Sequence, residues 1–92
     1  MQPSFVTMEK YYIYIIYSAS LDKYYTGSTN NIEARLKRHN AGATKSTKAG
    51  RPWVLVYTEE YQTRAEAYNR EQYIKKQKSR TFIENLIKSK DS

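Results

Sequence analysis

The sequence predicts one small α/β domain in which three strands and three helices follow the order ββαβαα. Its 92 residues are too few for two independently packed cores. Three short runs are rich in β-branched and aromatic residues, as strands are, and later segments carry helix caps and apolar stripes. This mixture favours a mixed or antiparallel sheet packed against helices. We expect the domain to span residues 10–88, between a flexible leader at 1–9 and a tail at 89–92.

Residues 10–18 and 24–27 form a predicted β-hairpin. The residues between them, 19–22, have turn composition, and so short a connection requires antiparallel neighbours. Side chains alternate between the two faces of a strand, so Tyr14 and Tyr25 are candidate neighbours across the pair. The same alternation predicts two faces for the first strand: Tyr12, Tyr14 and Ile16 on one, Ile13 and Ile15 on the other.

A helix of about three turns is predicted to begin at Asn30 and to end before Gly42. Asn30 and Glu33 resemble a capping box, and Gly42 suits the position that follows a helix end. Arg35 and His39 lie one turn apart on a single stripe of this helix.

The second half of the chain predicts a loop, a strand and two helices. Residues 43–52 are small, hydroxylic and basic without periodicity, which is typical of a surface loop. Residues 53–57 are almost continuously apolar, which implies a central or doubly covered strand. Thr63 and Glu66 form a second capping box, which begins a helix that runs to about residue 78. The last helix has its predicted cap and apolar stripe at Ser79, Phe82, Ile83, Leu86 and Ile87.

The charge balance predicts a polyanionic partner. Sixteen Lys and Arg against nine Asp and Glu give a formal net charge of +7, and nucleic acid is the commonest partner of such a chain, ahead of an acidic membrane surface.

The chain has no cysteine, which excludes disulfides and thiolate metal sites. The longest apolar run, residues 11–17, falls short of the ~18 residues of a membrane span, and no signal-peptide pattern is present. We expect a cytoplasmic protein that does not enter a membrane.

Glu71 lies within the predicted buried stripe of its helix, between Ala67 and Ile74. A buried carboxylate has to pair with a cation, coordinate a metal or take up a proton. Two interpretations therefore stay open. One is ligation of a hard divalent cation, and the other is an ion pair with one of three cations, Arg35, Arg70 or Lys75.

The first helix carries two further candidate residues. Arg35 lies close to the apolar stripe, where a guanidinium held against the sheet would bind a phosphate through two hydrogen bonds. A solvated arginine whose stem covers apolar surface is the alternative. His39, the only histidine, could simply complement the helix dipole. Exposed cations of this helix and of the basic loop are candidate phosphate contacts, namely Lys37, Arg38, Lys45, Lys48 and Arg51.

These residues, in this order, resemble the GIY-YIG nuclease superfamily. The tripeptide 12–14, the run 25–27, Arg35 with His39, and Glu71 on a later helix carry the resemblance. It covers about residues 10–87 and looks most like the small stand-alone bacterial members, the YhbQ-like or UPF0213 group.

The resemblance implies a three-stranded antiparallel sheet flanked by helices and an endonuclease that hydrolyses DNA with the help of Mg²⁺ or Mn²⁺. It also implies the catalytic residues. Tyr14 and Tyr25 match the two motif tyrosines, Arg35 matches the motif arginine, and His39 matches a histidine found in many members. Glu71 matches the metal-binding glutamate.

Two positions depart from the family pattern. Tyr12 stands where the first tripeptide has glycine, and Ser28 stands where the excision-repair relatives have a lysine. One positive contact is therefore missing, and we expect Lys37, Arg38 or the basic loop to replace it unless turnover is weaker. A tyrosine of ordinary pKa near 10 is a poor base at pH 7, and the sequence leaves open which tyrosine loses its proton.

Binding through phosphates predicts a preference for DNA structure over base sequence, as in DNA repair or processing. RNA is an alternative substrate, and a monomer is the favoured state. Two other functions stay open. One is a nucleic-acid-binding module without catalysis, in which tyrosines stack on bases. The other is a basic adaptor for an acidic protein.

Overall fold

The computed structural model describes residues 9–90, which contain one three-stranded antiparallel sheet. Strand β1 (Tyr11–Ser18) lies between β2 (Lys23–Thr29) and β3 (Trp53–Tyr61), which gives the order β2-β1-β3 across the sheet. The helices are α1 (Ile32–Asn40), α2 (Arg64–Gln77) and α3 (Arg80–Lys90). The antiparallel sheet and the element order ββαβαα are confirmed.

The two ends of the chain lie largely outside the described residues. Of the predicted leader 1–9, the structure describes Glu9, whose carboxylate accepts a hydrogen bond of 2.6 Å from the Asn30 side-chain amide. Of the predicted tail, residues 89 and 90 complete α3, and residues 91 and 92 are outside. Within residues 9–90, no helix has the length and apolar character that crossing a bilayer requires.

Strand β1 separates two hydrophobic clusters because its side chains alternate. Ile13 and Ile15 are fully buried on one face, against apolar residues of α2 and α3. Tyr14 and Ile16 point to the other face, where they pack with Trp53 and with the apolar side of α1. The division predicted for this strand is confirmed, and it places the motif tyrosine on the α1 face.

The first helix begins one residue later than its sequence pattern predicts. Asn31 is the cap, and its side-chain oxygen accepts a hydrogen bond of 3.0 Å from the Ala34 backbone N–H. The capping box predicted for Asn30 and Glu33 is wrong, because β2 continues to residue 29 and the Asn30 side chain bonds Glu9 instead. Gly42 follows the helix end as predicted, with a positive φ of 79° that glycine adopts without strain.

The other two helix starts are confirmed. Thr63 and Glu66 make both bonds of a capping box at the start of α2. The Ser79 hydroxyl accepts a hydrogen bond of 3.0 Å from the backbone N–H of Phe82 at the start of α3. Local side-chain chemistry therefore defines where both helices begin.

Two predictions about the middle of the chain are corrected. The segment predicted as a surface loop contains a 3₁₀ helix, Lys45–Gly50, with Thr47 and Gly50 buried. Strand β3 is an edge strand rather than a central one, and Val54 is 53% exposed. The central place belongs to β1, which has buried side chains on both faces. Val54 and Leu55 pair with residues 17 and 16 of β1 and so point to opposite faces of the sheet, yet both side chains are exposed. The bulge of β3 lies beyond them, opposite residues 15 and 16 of β1.

Candidate active site

Tyr14 lies across the backbone of the neighbouring strand at Gly27. The two residues are directly paired in the β1–β2 ladder, and the Tyr14 ring is only 2% exposed. A Cβ added at Gly27 would come within 2.6 Å of Cζ of this ring, far inside van der Waals contact. Glycine is therefore required at this position by the tyrosine that covers it.

The Tyr14 hydroxyl is hydrogen-bonded to His39, which α1 brings over the sheet. The oxygen lies 2.9 Å from Nε2 of His39, whose side chain is 1% exposed. The other ring nitrogen, Nδ1, lies 2.8 Å from Oγ1 of Thr47 on the 3₁₀ helix. The Thr47 hydroxyl in turn donates to the carbonyl oxygen of Thr44 at 3.3 Å. The predicted catalytic histidine is thus buried and hydrogen-bonded at both nitrogens.

Burial keeps this pair uncharged at neutral pH. It raises the pKa of Tyr14 to about 12, the nearby Tyr25 acting in the same direction, while the positive charge of Arg35 opposes the rise. For His39, burial lowers the pKa below its ordinary value, and the positive charges of Arg35 and Arg38 lower it further. A neutral phenol therefore faces a neutral imidazole.

Tyr25 lies beside the same histidine but in a different environment. Its ring packs edge-on against the His39 ring, with centroids 5.1 Å apart, and against Trp53 at 6.4 Å. The ammonium of Lys75 lies 5.9 Å from the centroid of the Tyr25 ring. Tyr25 is partly exposed, and its hydroxyl makes no hydrogen bond to any residue between 9 and 90. The two motif tyrosines are therefore chemically distinct, one buried and bonded, the other open.

Glu71 is a nearly buried carboxylate with a partner on each oxygen. It is 9% exposed, and its Oε1 accepts a hydrogen bond of 2.6 Å from the hydroxyl of Ser28. Its Oε2 lies 2.7 Å from Nζ of Lys75, one turn further along α2. Of the three ion-pair partners considered from the sequence, the structure selects Lys75.

The carboxylate and the phenols meet around the edge strand β2. Ser28 pairs with Ile13 and so lies on the α2 face of the sheet, whereas Tyr25 lies on the α1 face. Lys75 reaches around this edge, since its ammonium contacts both Glu71 and the Tyr25 ring. An edge strand permits this arrangement because no further strand covers its outer side.

Glu71 is the one acidic residue of this cluster. Among residues 9–90, no group of three or more histidine, aspartate or glutamate side chains is placed to hold a metal ion. One carboxylate is nevertheless a sufficient protein ligand for Mg²⁺, which keeps most of its waters and takes further oxygens from substrate phosphate. The Lys75 ammonium on Oε2 demonstrates that this carboxylate holds a cation. The donor set therefore fits a divalent ion that replaces Lys75.

The predicted phosphate contacts lie on α1, on the 3₁₀ helix and at the residue that follows it. Lys37 and Arg38 are exposed in the last turn of α1, and Lys45 and Lys48 are exposed on the 3₁₀ helix. Arg51 is exposed as well, and its Nε donates to the carbonyl of Lys48 at 2.8 Å. In the described part of the chain, none of these five cations is paired with a carboxylate. Their charges are free to meet an anionic partner.

Three residues support the site in roles that the sequence does not predict. Ser28 binds Glu71, Lys75 pairs with it, and Thr47 binds His39. The spacing of Glu71 and Lys75 on one helix makes Lys75 a candidate partner but does not distinguish it from other cations. For Thr47 the local sequence predicts an exposed loop and gives no sign of its burial.

The chain is similar to known proteins over most of its length. A family model described as the GIY-YIG catalytic domain matches residues 10–85. A UPF0213 protein of Staphylococcus haemolyticus is 48% identical over 69 residues, which cover 74% of this chain and 83% of that protein. A UPF0213 protein of Clostridium perfringens is 46% identical over 66 residues, which cover 71% of this chain and 70% of that protein. No solved structure matches the chain at a significant level.

Proposed function

The chain belongs to the GIY-YIG family, and on that premise we propose that it is an endonuclease that hydrolyses DNA phosphodiester bonds with a divalent metal ion. The observation that carries the proposal is the cluster at the β2 edge, where Tyr14, Tyr25, His39 and Glu71 are linked by contacts. These are the groups that phosphodiester hydrolysis needs: a base for water, hydrogen-bonding partners and an oxygen ligand for a cation.

Tyr25 is the proposed base that takes a proton from the attacking water. Its hydroxyl is partly exposed and makes no hydrogen bond to residues 9–90, so it can accept a water molecule. The Lys75 ammonium lies 5.9 Å from the centroid of its ring. Tyr14 is less suited to this role, because it is buried and its pKa is raised to about 12.

Arg35 is the proposed phosphate-binding group. Its planar guanidinium matches two phosphoryl oxygens. Its positive charge acts on the Tyr14 hydroxyl and opposes the rise in the pKa of Tyr14. Tyr14 and His39, which are hydrogen-bonded to each other, are the proposed support beside which Arg35 meets the substrate.

Glu71 is the proposed metal ligand, with Ser28 orienting the carboxylate through Oε1. A bound Mg²⁺ or Mn²⁺ ion would supply Lewis-acid chemistry at the phosphoryl oxygens. Lys75 would have to leave Oε2 to make room for such an ion, and its ammonium would then be available to a phosphate of the DNA. This lysine is the proposed substitute for the positive contact that is missing at Ser28, ahead of Lys37, Arg38 and the loop cations.

The surrounding cations favour DNA structure over sequence. Lys45, Lys48 and Arg51 are exposed side chains that suit phosphates, which are the same at every base pair. We therefore expect selection among single strands, flaps, nicks and intact duplexes, the kinds of substrate that arise in DNA repair and processing. Equal cleavage rates on all four forms would refute this part of the proposal.

A plasmid-nicking assay tests the function. Purified protein is incubated with supercoiled plasmid and Mg²⁺ or Mn²⁺, then with EDTA, and the assay is repeated with Glu71→Gln. Glu60→Gln is the matched control, because Glu60 is an exposed glutamate that pairs with Lys10 far from the site. We expect EDTA and Glu71→Gln to reduce nicking by roughly 100-fold or more while Glu60→Gln does not.

The same experiment separates the enzyme from a binding module. A gel shift of labelled DNA is measured for the wild type and for Glu71→Gln. DNA binding by both proteins, with no nicking by the wild type in either metal, would refute the nuclease and support a non-catalytic module. Absence of both nicking and binding would instead support an adaptor for an acidic protein.

A further inference from the structure

We propose that Thr47 is a positioning residue that holds His39 in its Nδ1-protonated neutral form and so gives one direction to the hydrogen-bond chain that runs from Tyr14 through His39 to Thr47. The tautomer assignment rests on the contacts of three side chains. Only its consequence for DNA cleavage rests on the proposed function.

The direction of the chain is set at its far end by a carbonyl group. The Thr47 hydroxyl lies 3.3 Å from the carbonyl oxygen of Thr44, which can only accept, and we assign the Thr47 hydrogen to this contact. Oγ1 of Thr47 is then an acceptor for its other neighbour, Nδ1 of His39, at 2.8 Å. His39 therefore carries a hydrogen on Nδ1.

Protonation at Nδ1 leaves a lone pair on Nε2. A neutral imidazole has one donor and one acceptor nitrogen, so Nε2 accepts from the Tyr14 hydroxyl, 2.9 Å away. The doubly protonated form would need a second acceptor at Tyr14, and it is disfavoured because burial and two arginines lower the pKa of His39. The Tyr14 hydrogen thus points toward His39.

A tyrosine that donates to His39 presents its lone pairs on the other side. The positive charge of Arg35 acts on the same hydroxyl. The donors then point one way, from Tyr14 through His39 to Thr47. If His39 carried its hydrogen on Nε2 instead, the hydrogen of the buried Tyr14 hydroxyl would have no acceptor among residues 9–90.

Thr47 is built rigidly enough to act in this way. Its side chain is fully buried, and its carbonyl oxygen accepts a hydrogen bond of 2.7 Å from the indole N–H of Trp53. Trp53 is in turn bonded to the end of α1, since its backbone N–H and C=O both pair with the Asn40 side chain. The 3₁₀ helix, β3 and α1 therefore hold Thr47 and His39 in one unit.

Nitrogen-15 NMR of the histidine ring tests the proposal directly. The chain contains a single histidine, so the ring signals of ¹⁵N-histidine-labelled protein belong to His39 alone. At pH 7, without DNA or metal, we expect Nδ1 to give a protonated (pyrrole-type) signal and Nε2 an unprotonated (pyridine-type) signal. The reverse assignment in the wild type would overturn the proposal, whatever any variant does.

Three variants separate positioning from packing. Thr47→Val keeps the shape of the side chain but removes the acceptor, and we expect its ring signals to shift toward the Nε2-protonated form. Thr47→Ser restores the hydroxyl and should restore the wild-type signals. Ser46→Ala, an exposed neighbour on the same 3₁₀ helix, is the control that leaves them unchanged. An unchanged tautomer in a folded Thr47→Val protein would overturn the proposal.

Nicking assays on the same proteins supply the link to activity. We expect Thr47→Val to reduce nicking about 10- to 100-fold and Thr47→Ser to stay within about threefold of the wild type, because a wrong tautomer disables a histidine without removing it. Because the tautomer is measured without substrate, a wild type that never nicks DNA refutes the nuclease and leaves the tautomer assignment standing. An active wild type with the reverse tautomer refutes the tautomer assignment and leaves the nuclease standing.

Discussion

Replacing Lys75 with methionine should strengthen binding of the divalent ion. The Lys75 ammonium lies 2.7 Å from Oε2 of Glu71, so an incoming ion has to break this ion pair before it can use that oxygen. The lysine side chain is 45% exposed, and water and salt therefore screen the interaction. Partly exposed pairs contribute about 0.5–1 kcal/mol. Removing the competitor should raise metal affinity by about two- to fivefold, since roughly 1.4 kcal/mol corresponds to a factor of ten.

The measurement is a Mn²⁺ titration of the free protein, followed by the Mg²⁺ dependence of nicking. Lys76→Met is the matched control, because it removes the same charge from the next residue, which is exposed and forms no ion pair among residues 9–90. Each variant lowers the formal net charge of +7 by one, so any difference between them is local. Equal Mn²⁺ affinities for the two variants would refute the competition between Lys75 and the metal.

Three further predictions follow from other parts of the structure. Gly27→Ala should destabilise the fold by about 1–3 kcal/mol in urea unfolding, because its Cβ would crowd the Tyr14 ring at 2.6 Å. Wild-type stability in this variant would contradict the packing of Tyr14 across β2. For Glu59, burial acts to raise the pKa, but hydrogen bonds from Arg70 and two tyrosines outweigh burial, and the pKa is lowered. The stabilisation that the Glu59 carboxylate gives to the fold is therefore present above the ordinary glutamate pKa. It is lost as the pH falls through the lowered pKa of Glu59. Glu59→Gln should cost about 1–3 kcal/mol at pH 7, and this difference should shrink in acid; a pH-independent difference would argue against the sign of the shift. Finally, replacing Lys45 and Lys48 together by alanine should reduce the number of counterions released on DNA binding by about two. This number is read from the slope of log affinity against log salt concentration in gel shifts. An unchanged slope would place the DNA elsewhere.

The residues of the candidate site differ in how far local sequence reveals them. Five residues stand out because they belong to an ordered motif or interrupt an apolar stripe, namely Tyr14, Tyr25, Arg35, His39 and Glu71. The residues that support them do not stand out. Ser28 is 43 positions from the carboxylate to which it donates, and no periodicity relates the two.

The error at β3 has a similar origin. Its apolar run predicts a central strand, since parallel and doubly covered strands have that composition. In the sheet, however, Val54 and Leu55 point to opposite faces and both are exposed, so neither face of the run is fully covered. Composition predicts that these residues form a strand. It does not reveal which strand of the sheet is central, and in this protein the central strand is β1.

The sequence by itself determined the strand and helix order, the two faces of β1, the caps of α2 and α3, the excess positive charge and the family. These properties depend on residues close together in the chain, where spacing and side-chain chemistry decide the outcome. Only the tertiary structure decided that Lys75 is the partner of Glu71, that Thr47 is buried against His39, and that the site forms around the edge of β2. Those contacts depend on how separate elements pack, and burial and pairing between distant segments exist only once the chain has folded.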